Sequence, residues 1–143
     1  MAATGINGSA ILLKIEISGT PKIVQGQVSG THDGTVDTAE TTHKLSANGA
    51  KTYIPTEHSF TISAECKVDP SDATNATYSQ VYAAFKAKQI IDYSYGSTVA
   101  GQKYYSGECI ITGLSESAPQ SDCETFSITL QVTGDETEST VTT

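Results

Sequence analysis

The chain reads as a mainly β domain, an antiparallel β-sandwich or barrel with one packed α-helix, and three observations predict it. Residues Glu57–Val68 alternate strictly, with Phe60, Ile62, Ala64, Cys66 and Val68 on one face and Ser59, Thr61, Ser63, Glu65 and Lys67 on the other. A side-chain period of two is what a strand with one packed face and one wetted face requires. The alternation returns near the C-terminus, where Phe126, Ile128, Leu130 and Val132 interleave with Thr125, Ser127, Thr129 and Gln131. Only one segment between them has helical spacing. Tyr78, Val81, Tyr82 and Phe85 form an i, i+3, i+4, i+7 stripe, so sheet is expected to dominate.

The remaining elements follow in order. Met1–Ser9 is small and polar and reads as an N-terminal arm. Ile11, Leu13, Ile15 and Ile17 alternate, the turn chemistry of Ser18-Gly19-Thr20-Pro21 follows, and Lys22–Ser29 is a second strand, giving a hairpin or meander. From Gly30 to Pro55 the apolar pattern dissolves into threonine and glycine, anchored only by Lys44-Leu45 and Tyr53-Ile54. So long a loop is uncommon in a compact domain, and it reads either as a contact with another chain or as a plain surface loop. Asp69-Pro70-Ser71-Asp72 ends the central strand, and a helix is expected from Asn75 or Thr77 to Gln89, with Lys86 and Lys88 in its last turn, where the helix dipole favours cations. Ile90–Tyr95 and Lys103–Thr112 read as a hairpin, Gly113–Asp122 as a connection, and Asp135–Thr143 as an acidic tail too polar to build a core.

Composition narrows the function. At 143 residues the chain fits one domain, residues 1–143, with a single core. Its formal net charge is -8, and all eight basic residues are lysines. Arginine is the usual bidentate reader of phosphate and guanine, so its absence argues against a nucleic-acid clamp or a phosphate enzyme. The lysines are also dispersed, leaving no basic stripe along a backbone of phosphates. Ile11–Ile17 is interrupted by Lys14 and Glu16, and no membrane insertion is expected. Cys66, Cys109 and Cys123 make no CxxC pair, and Cys66 falls on the apolar strand face as a small hydrophobe.

No constellation carries chemistry. His32, His43 and His58 stand far apart, and His32-Asp33 lacks a partner at recognisable spacing, so His32 reads as an exposed loop histidine. Asp33, Asp37 and Glu40 lack the alternating donors and closing glutamate of a calcium loop. Gly26, Gly30 and Gly34 recur every fourth residue but open no helix, so they cradle no phosphate. The serines have no elbow motif and no base. Catalytic residues, metal and cofactors are all expected to be none, and the chain is not expected to be an enzyme.

The residues do suggest a family. Ile110-Ile111-Thr112-Gly113-Leu114-Ser115-Glu116-Ser117-Ala118-Pro119, followed by Glu124-Thr125-Phe126-Ser127-Ile128-Thr129-Leu130, resembles the penultimate strand, Leu-x-x-x-Ala-Pro connection and terminal strand of the major tail tube proteins of long-tailed bacteriophages. The resemblance begins at Ile11-Leu12-Leu13-Lys14-Ile15, and the helix ending at Phe85 before Ile90-Ile91-Asp92-Tyr93 sits where that family places its single helix. The chain departs from the pattern in having no tryptophan, and in placing Lys88-Gln89 where a glycine-containing turn often follows the helix.

The resemblance implies a structural subunit that forms hexameric rings, stacked into a hollow tube through which DNA passes as cargo. It implies further partners, a tape measure protein and tail terminator and tip proteins, and a place in the virion tail after assembly in the host cytoplasm. An acidic, arginine-free wall would let DNA slide, so Thr61, Ser63, Glu65, Thr125, Ser127 and Thr129 are the lumen-lining candidates. Lys44, Leu45, Tyr53 and Ile54 are the candidates for contacts between subunits or rings, since sheet edges need partners. Two other readings remain. One is the inner tube of a type VI secretion or other contractile injection system. The other is a monomeric carbohydrate-binding or adhesin-like module with Tyr93, Tyr95, Tyr104 and Tyr105 lining a cleft.

Overall fold

A computed structural model describes residues 10–43, 49–72 and 74–142. Seven strands and one helix follow in the order β1 (Ile11–Ile17), β2 (Thr20–Ile23), β3 (Gln27–Glu40), β4 (Tyr53–Lys67), α1 (Tyr78–Ala87), β5 (Ile91–Ser97), β6 (Lys103–Ser117) and β7 (Thr125–Thr140). They form one sheet in the order β2-β1-β5-β6-β7-β4-β3, antiparallel at every pairing. The sheet rolls so that the start of β3 returns to β1. A side chain closes the seam there, because β2 has already ended. Gln27 accepts from the Leu13 N–H through Oε1 (2.9 Å) and donates through Nε2 to the carbonyls of Leu13 (2.8 Å) and Val24 (3.0 Å). Gln25, itself buried, bonds the backbone of Asp69 in the same two-way fashion.

The apolar faces predicted from alternation meet inside the roll. Ile62, Ala64 and Cys66 of β4 stand opposite Leu130, Ile128 and Phe126 of β7, and all six are buried. Leu13, Ile15, Tyr93, Tyr95, Cys109 and Ile111 complete the interior. Helix α1 lies over one end, with Val81 buried and the Tyr78 ring edge-on to Phe126 at 5.2 Å. Its start is fixed by a reciprocal capping box, in which Thr77 Oγ1 accepts from the Gln80 N–H and Gln80 Oε1 accepts from the Thr77 N–H. Tyr82, predicted on the packed stripe, is instead half exposed on its rim.

Four expectations change, the first being that the expected connection Gly113–Asp122 begins as strand, because β6 runs to Ser117 paired with β7. The Lys22–Ser29 strand is two strands, broken at Val24–Gly26, where Val24 bridges to Ala76. The long loop from Gly30 to Pro55 is mostly strand, since β3 runs to Glu40 and pairs with β4 from Tyr53 onward. Only residues 41–52 connect them, and the Thr41 N–H donates to the Thr52 carbonyl at their base. The acidic tail is also strand as far as Thr140, paired with Lys103–Ser106 of β6. In both segments cross-strand hydrogen bonds hold a backbone whose side chains bury little, so hydrophobic alternation gives no warning of it.

Candidate functional site

Strands β3, β4, β7 and β6 lie side by side, and their outward faces join into one surface. Its rows read across the four strands as Ser29–Glu65–Ser127–Ser115, Thr31–Ser63–Thr129–Gly113 and Asp33–Thr61–Gln131–Ile110. Hydroxyl groups dominate it. Thr35 and Ser59 share a hydrogen bond at 3.1 Å, and Thr112 Oγ1 donates to the Thr129 carbonyl at 3.4 Å. The charges among these rows are the carboxylates Asp33 and Glu65, with Lys67 just beyond them at the end of β4. All six lumen-lining candidates, Thr61, Ser63, Glu65, Thr125, Ser127 and Thr129, fall on this surface as direct cross-strand neighbours.

Two edges without a strand partner bound the surface, and helix α1 packs against the strand that carries one of them, β6. No strand pairs with the outer side of β3 among the described residues. On the far side β5 begins at Ile91, opposite Cys109, so the outer edge of β6 from Ile110 to Ser117 also has no strand partner there. Because every pairing is antiparallel, β3 and β7 run one way and β4 and β6 the other. The two open edges therefore point in opposite directions.

The contact candidates divide. Tyr53 and Ile54 open β4 opposite Glu40 and Ala39 and are 53% and 51% exposed, with Val36 nearby at 59%. Lys44 and Leu45, like the arm Met1–Ser9, lie outside the described residues. Of the tyrosines proposed for a ligand cleft, Tyr95 and Tyr105 line an open cavity with Ile11, His32, Gly96 and Lys103. Tyr93 and Tyr95 are buried in the interior, and Tyr105 stacks on His32.

His32 is the residue that sequence reasoning misplaced. It is no exposed loop histidine, because it points inward from β3 opposite Ile62. Its ring stacks on Tyr105 (4.4 Å between centroids), Phe60 (5.2 Å) and Tyr95 (6.0 Å), and its Nε2 stands 2.7 and 3.0 Å from the two oxygens of Glu136. The Tyr93 hydroxyl donates to the same carboxylate, and burial together with this bond pushes the Tyr93 pKa well above its ordinary value. At the preceding residue of β7, on the exposed side, Asp135 pairs with His58 of β4 at 3.1 Å, and that bond holds the Asp135 carboxyl below its usual range. The available sequence signal is the inward-facing series Gly30, His32, Gly34, a period of two in which glycines flank a ring.

Residues 5–138 match the family of phage tail tube proteins. The chain belongs to that family. Among solved structures it is similar to the tail of an empty gene transfer agent particle refined with C6 symmetry, at 15% identity and a TM-score of 0.77, covering 94% of this chain and 99% of that one. It is similar to the SPP1 tail tube at 16% identity and TM-score 0.73, covering 97% of this chain and 81% of that one. The tube of an extracellular contractile injection system, in its extended sheath-tube complex, matches at 16% identity and TM-score 0.65, covering 96% and 93%. Curated protein sequences give no match. This is a tail tube protein of phage or phage-like particles. Its family and its neighbours in fold are structural tube proteins, seen in virion tails and in injection systems with baseplates and caps.

Proposed function

We propose that this tail tube protein is the repeating subunit of hexameric rings, stacked into a conduit for DNA, with the hydroxyl surface lining the lumen. The observation that carries the proposal is the pair of open edges. The free edge of β6 in one copy and that of β3 in the next run in opposite directions, so joining them continues the antiparallel alternation without a break. Each copy adds four strands to such a wall. Six copies, the symmetry of the gene transfer agent tail, would give about 24 strands and, at about 4.8 Å per strand, a circumference of about 115 Å. A head-to-tail contact of this kind closes into a ring when the rotation permits.

The lining chemistry suits passage. Short hydroxyls hydrogen-bond water, and the carboxylates repel a backbone that carries about one negative charge per 1.7 Å of duplex. Thr61, Ser63, Glu65, Thr125, Ser127 and Thr129 line the lumen in this reading. The segment 41–52, with Tyr53 and Ile54 at its base, contacts the neighbouring subunit or ring, as do the arm of residues 1–9 and the chain's last residues. Partners at the tube's ends and a tape measure within it complete the assembly, which forms in the host cytoplasm.

Electron microscopy of purified protein tests the first step: rings or rods are expected, and separate particles at every concentration would overturn the reading. Arginines at Thr61, Ser63 and Thr129 should leave tubes intact while slowing DNA delivery, and unimpaired delivery removes this face from the lumen. Replacing 42–51 by Asn-Gly should give folded subunits that fail to stack, and full-length tubes would exclude the segment from the contact. A contractile injection system's inner tube has the same fold. A sheath around the tube, and protein rather than DNA as cargo, would favour it.

A further inference from the structure

We infer that His32, Glu136 and Tyr93 form an internal clasp that holds the β3–β4 hairpin where its open edge can pair, a positioning role resting on the ring-closing use of that edge proposed above. The fork in the sheet creates the need. Pairing between β4 and β7 stops at Thr61 and Gln131. Past that point β4 continues back to Tyr53 with only β3 beside it, while β7 continues to Thr140 with only β6 beside it. Nothing in the backbone ladder fixes the angle between these two prongs.

Apolar packing at the fork comes from β4 through Phe60, and His58 of β4 also reaches Asp135 of β7 on the exposed side. The inward positions of β3 are Gly30, His32 and Gly34, so this strand offers the interior no aliphatic side chain at the fork. The two glycines are required by close approach. A Cβ on Gly30 would come within 3.0 Å of the Tyr95 ring, and one on Gly34 within 2.9 Å of the Phe60 ring. The space they leave lets the His32 ring lie against aromatic neighbours on three strands, β4, β5 and β6. From there its Nε2 reaches Glu136 on β7, beyond the fork.

Glu136 makes the contact directional. Its side chain is only 3% exposed, and a carboxylate taken from water is costly unless donors surround it. The His32 Nε2 and Tyr93 O–H are the donors here, one from β3 and one from β5. An aliphatic residue at 32 would fill the same space over a range of hairpin angles, whereas the two oxygens of Glu136 accept these donors in a narrow one. The clasp thereby transmits the position of β5, β6 and β7 to the edge of β3.

Amide hydrogen exchange and assembly rate, measured on His32→Phe and Glu136→Gln, test this. Both variants retain the size of the side chain, and His32→Phe also retains the stacking. Each is expected to fold, to speed exchange in β3 between Val28 and Val36 about tenfold while leaving the β4–β7 ladder unchanged, and to slow ring formation by a similar factor. The Nε2 nitrogen resonance of His32 should move in Glu136→Gln, which a merely space-filling histidine would not show. Wild-type exchange and wild-type assembly in both variants would overturn the clasp, and so would failure of both to fold, since the cluster would then be ordinary core. If the wild-type protein forms no rings at all, the tube reading fails, while exchange in the lone subunit still settles the clasp.

Discussion

Lys88 closes helix α1 in a left-handed conformation, φ 56° and ψ 38°, with its N–H donating to the Phe85 carbonyl. For a residue with a Cβ that conformation costs about 1 kcal/mol or more relative to glycine, which commonly fills the position. Lys88→Gly should therefore raise unfolding stability by about 0.5–1 kcal/mol, less than the full strain because glycine also loosens the unfolded chain. A denaturant titration of the two proteins checks it, and a destabilised variant would mean that the lysine side chain supplies more than the strain removes. The cysteines give a second residue-level expectation. Burial pushes the Cys66 and Cys109 thiols from 9.0 up to about 12, whereas Cys123 is exposed. In the unfolded chain both buried thiols would ionise near 9.0, so folding stability is steady below that pH and falls as pH rises from there toward about 12. Tyr93, raised in the same direction, adds to the same alkaline loss. Native protein should take up one alkylating label, at Cys123, with the other two reacting only on unfolding. Rapid labelling of all three would contradict the closed interior. Cys66 was legible as buried from its place in an alternating strand. His32 was not, since a lone histidine between glycines has no periodic apolar partner and its acid lies 104 residues away.

At the scale of elements, the strands read correctly are those in which packing and pairing act together. In the core of β4 and the first half of β7, each inward residue is aliphatic or aromatic, or a small apolar Ala or Cys, and so alternation marks them. β3 and the far half of β7 are held by backbone hydrogen bonds to one neighbour, and their inward residues are Gly30, His32, Gly34 and Glu136. Sequence periodicity reports burial rather than pairing, so these segments looked like a loop and a tail. The shared outward surface of Thr61, Ser63, Glu65, Thr125, Ser127 and Thr129 was legible because they are the polar half of an alternation whose apolar half is core, whereas the edges without strand partners depend on strand order and could not be read. The seam was equally hidden, because a glutamine taking the place of a strand has no pattern. Gln27→Ala would leave the Leu13 N–H without its acceptor and remove two donors from carbonyls at the seam. A cost of about 2–3 kcal/mol is expected, measured as a lower denaturation midpoint at unchanged slope. A loss below about 0.5 kcal/mol would mean that water replaces the amide there.

In the proposed tube the whole molecule would assemble against its own charge. Each copy carries a formal net charge of -8, and the β3 edge carries Asp33, Asp37 and Glu40 along its length. Edge-to-edge pairing gains backbone hydrogen bonds and buried side chains, both nearly indifferent to salt, while repulsion between copies extends over about 30 Å at 0.01 M ionic strength and about 10 Å at 0.1 M. Screening should therefore release the attraction. Ring formation is expected to accelerate, and the concentration needed for it to fall, as salt rises from about 0.02 M to about 0.5 M, with the steepest change below about 0.15 M. Sedimentation velocity at fixed protein concentration across that range reads the shift directly. Neutralising the edge with Asp33→Asn and Asp37→Asn should reproduce at low salt what the wild-type protein does at high salt. The opposite trend, tubes that dissolve as salt is added, would locate the binding energy in pairs between lysines and carboxylates of neighbouring copies. The sheet edges would then play a secondary part in holding the wall together.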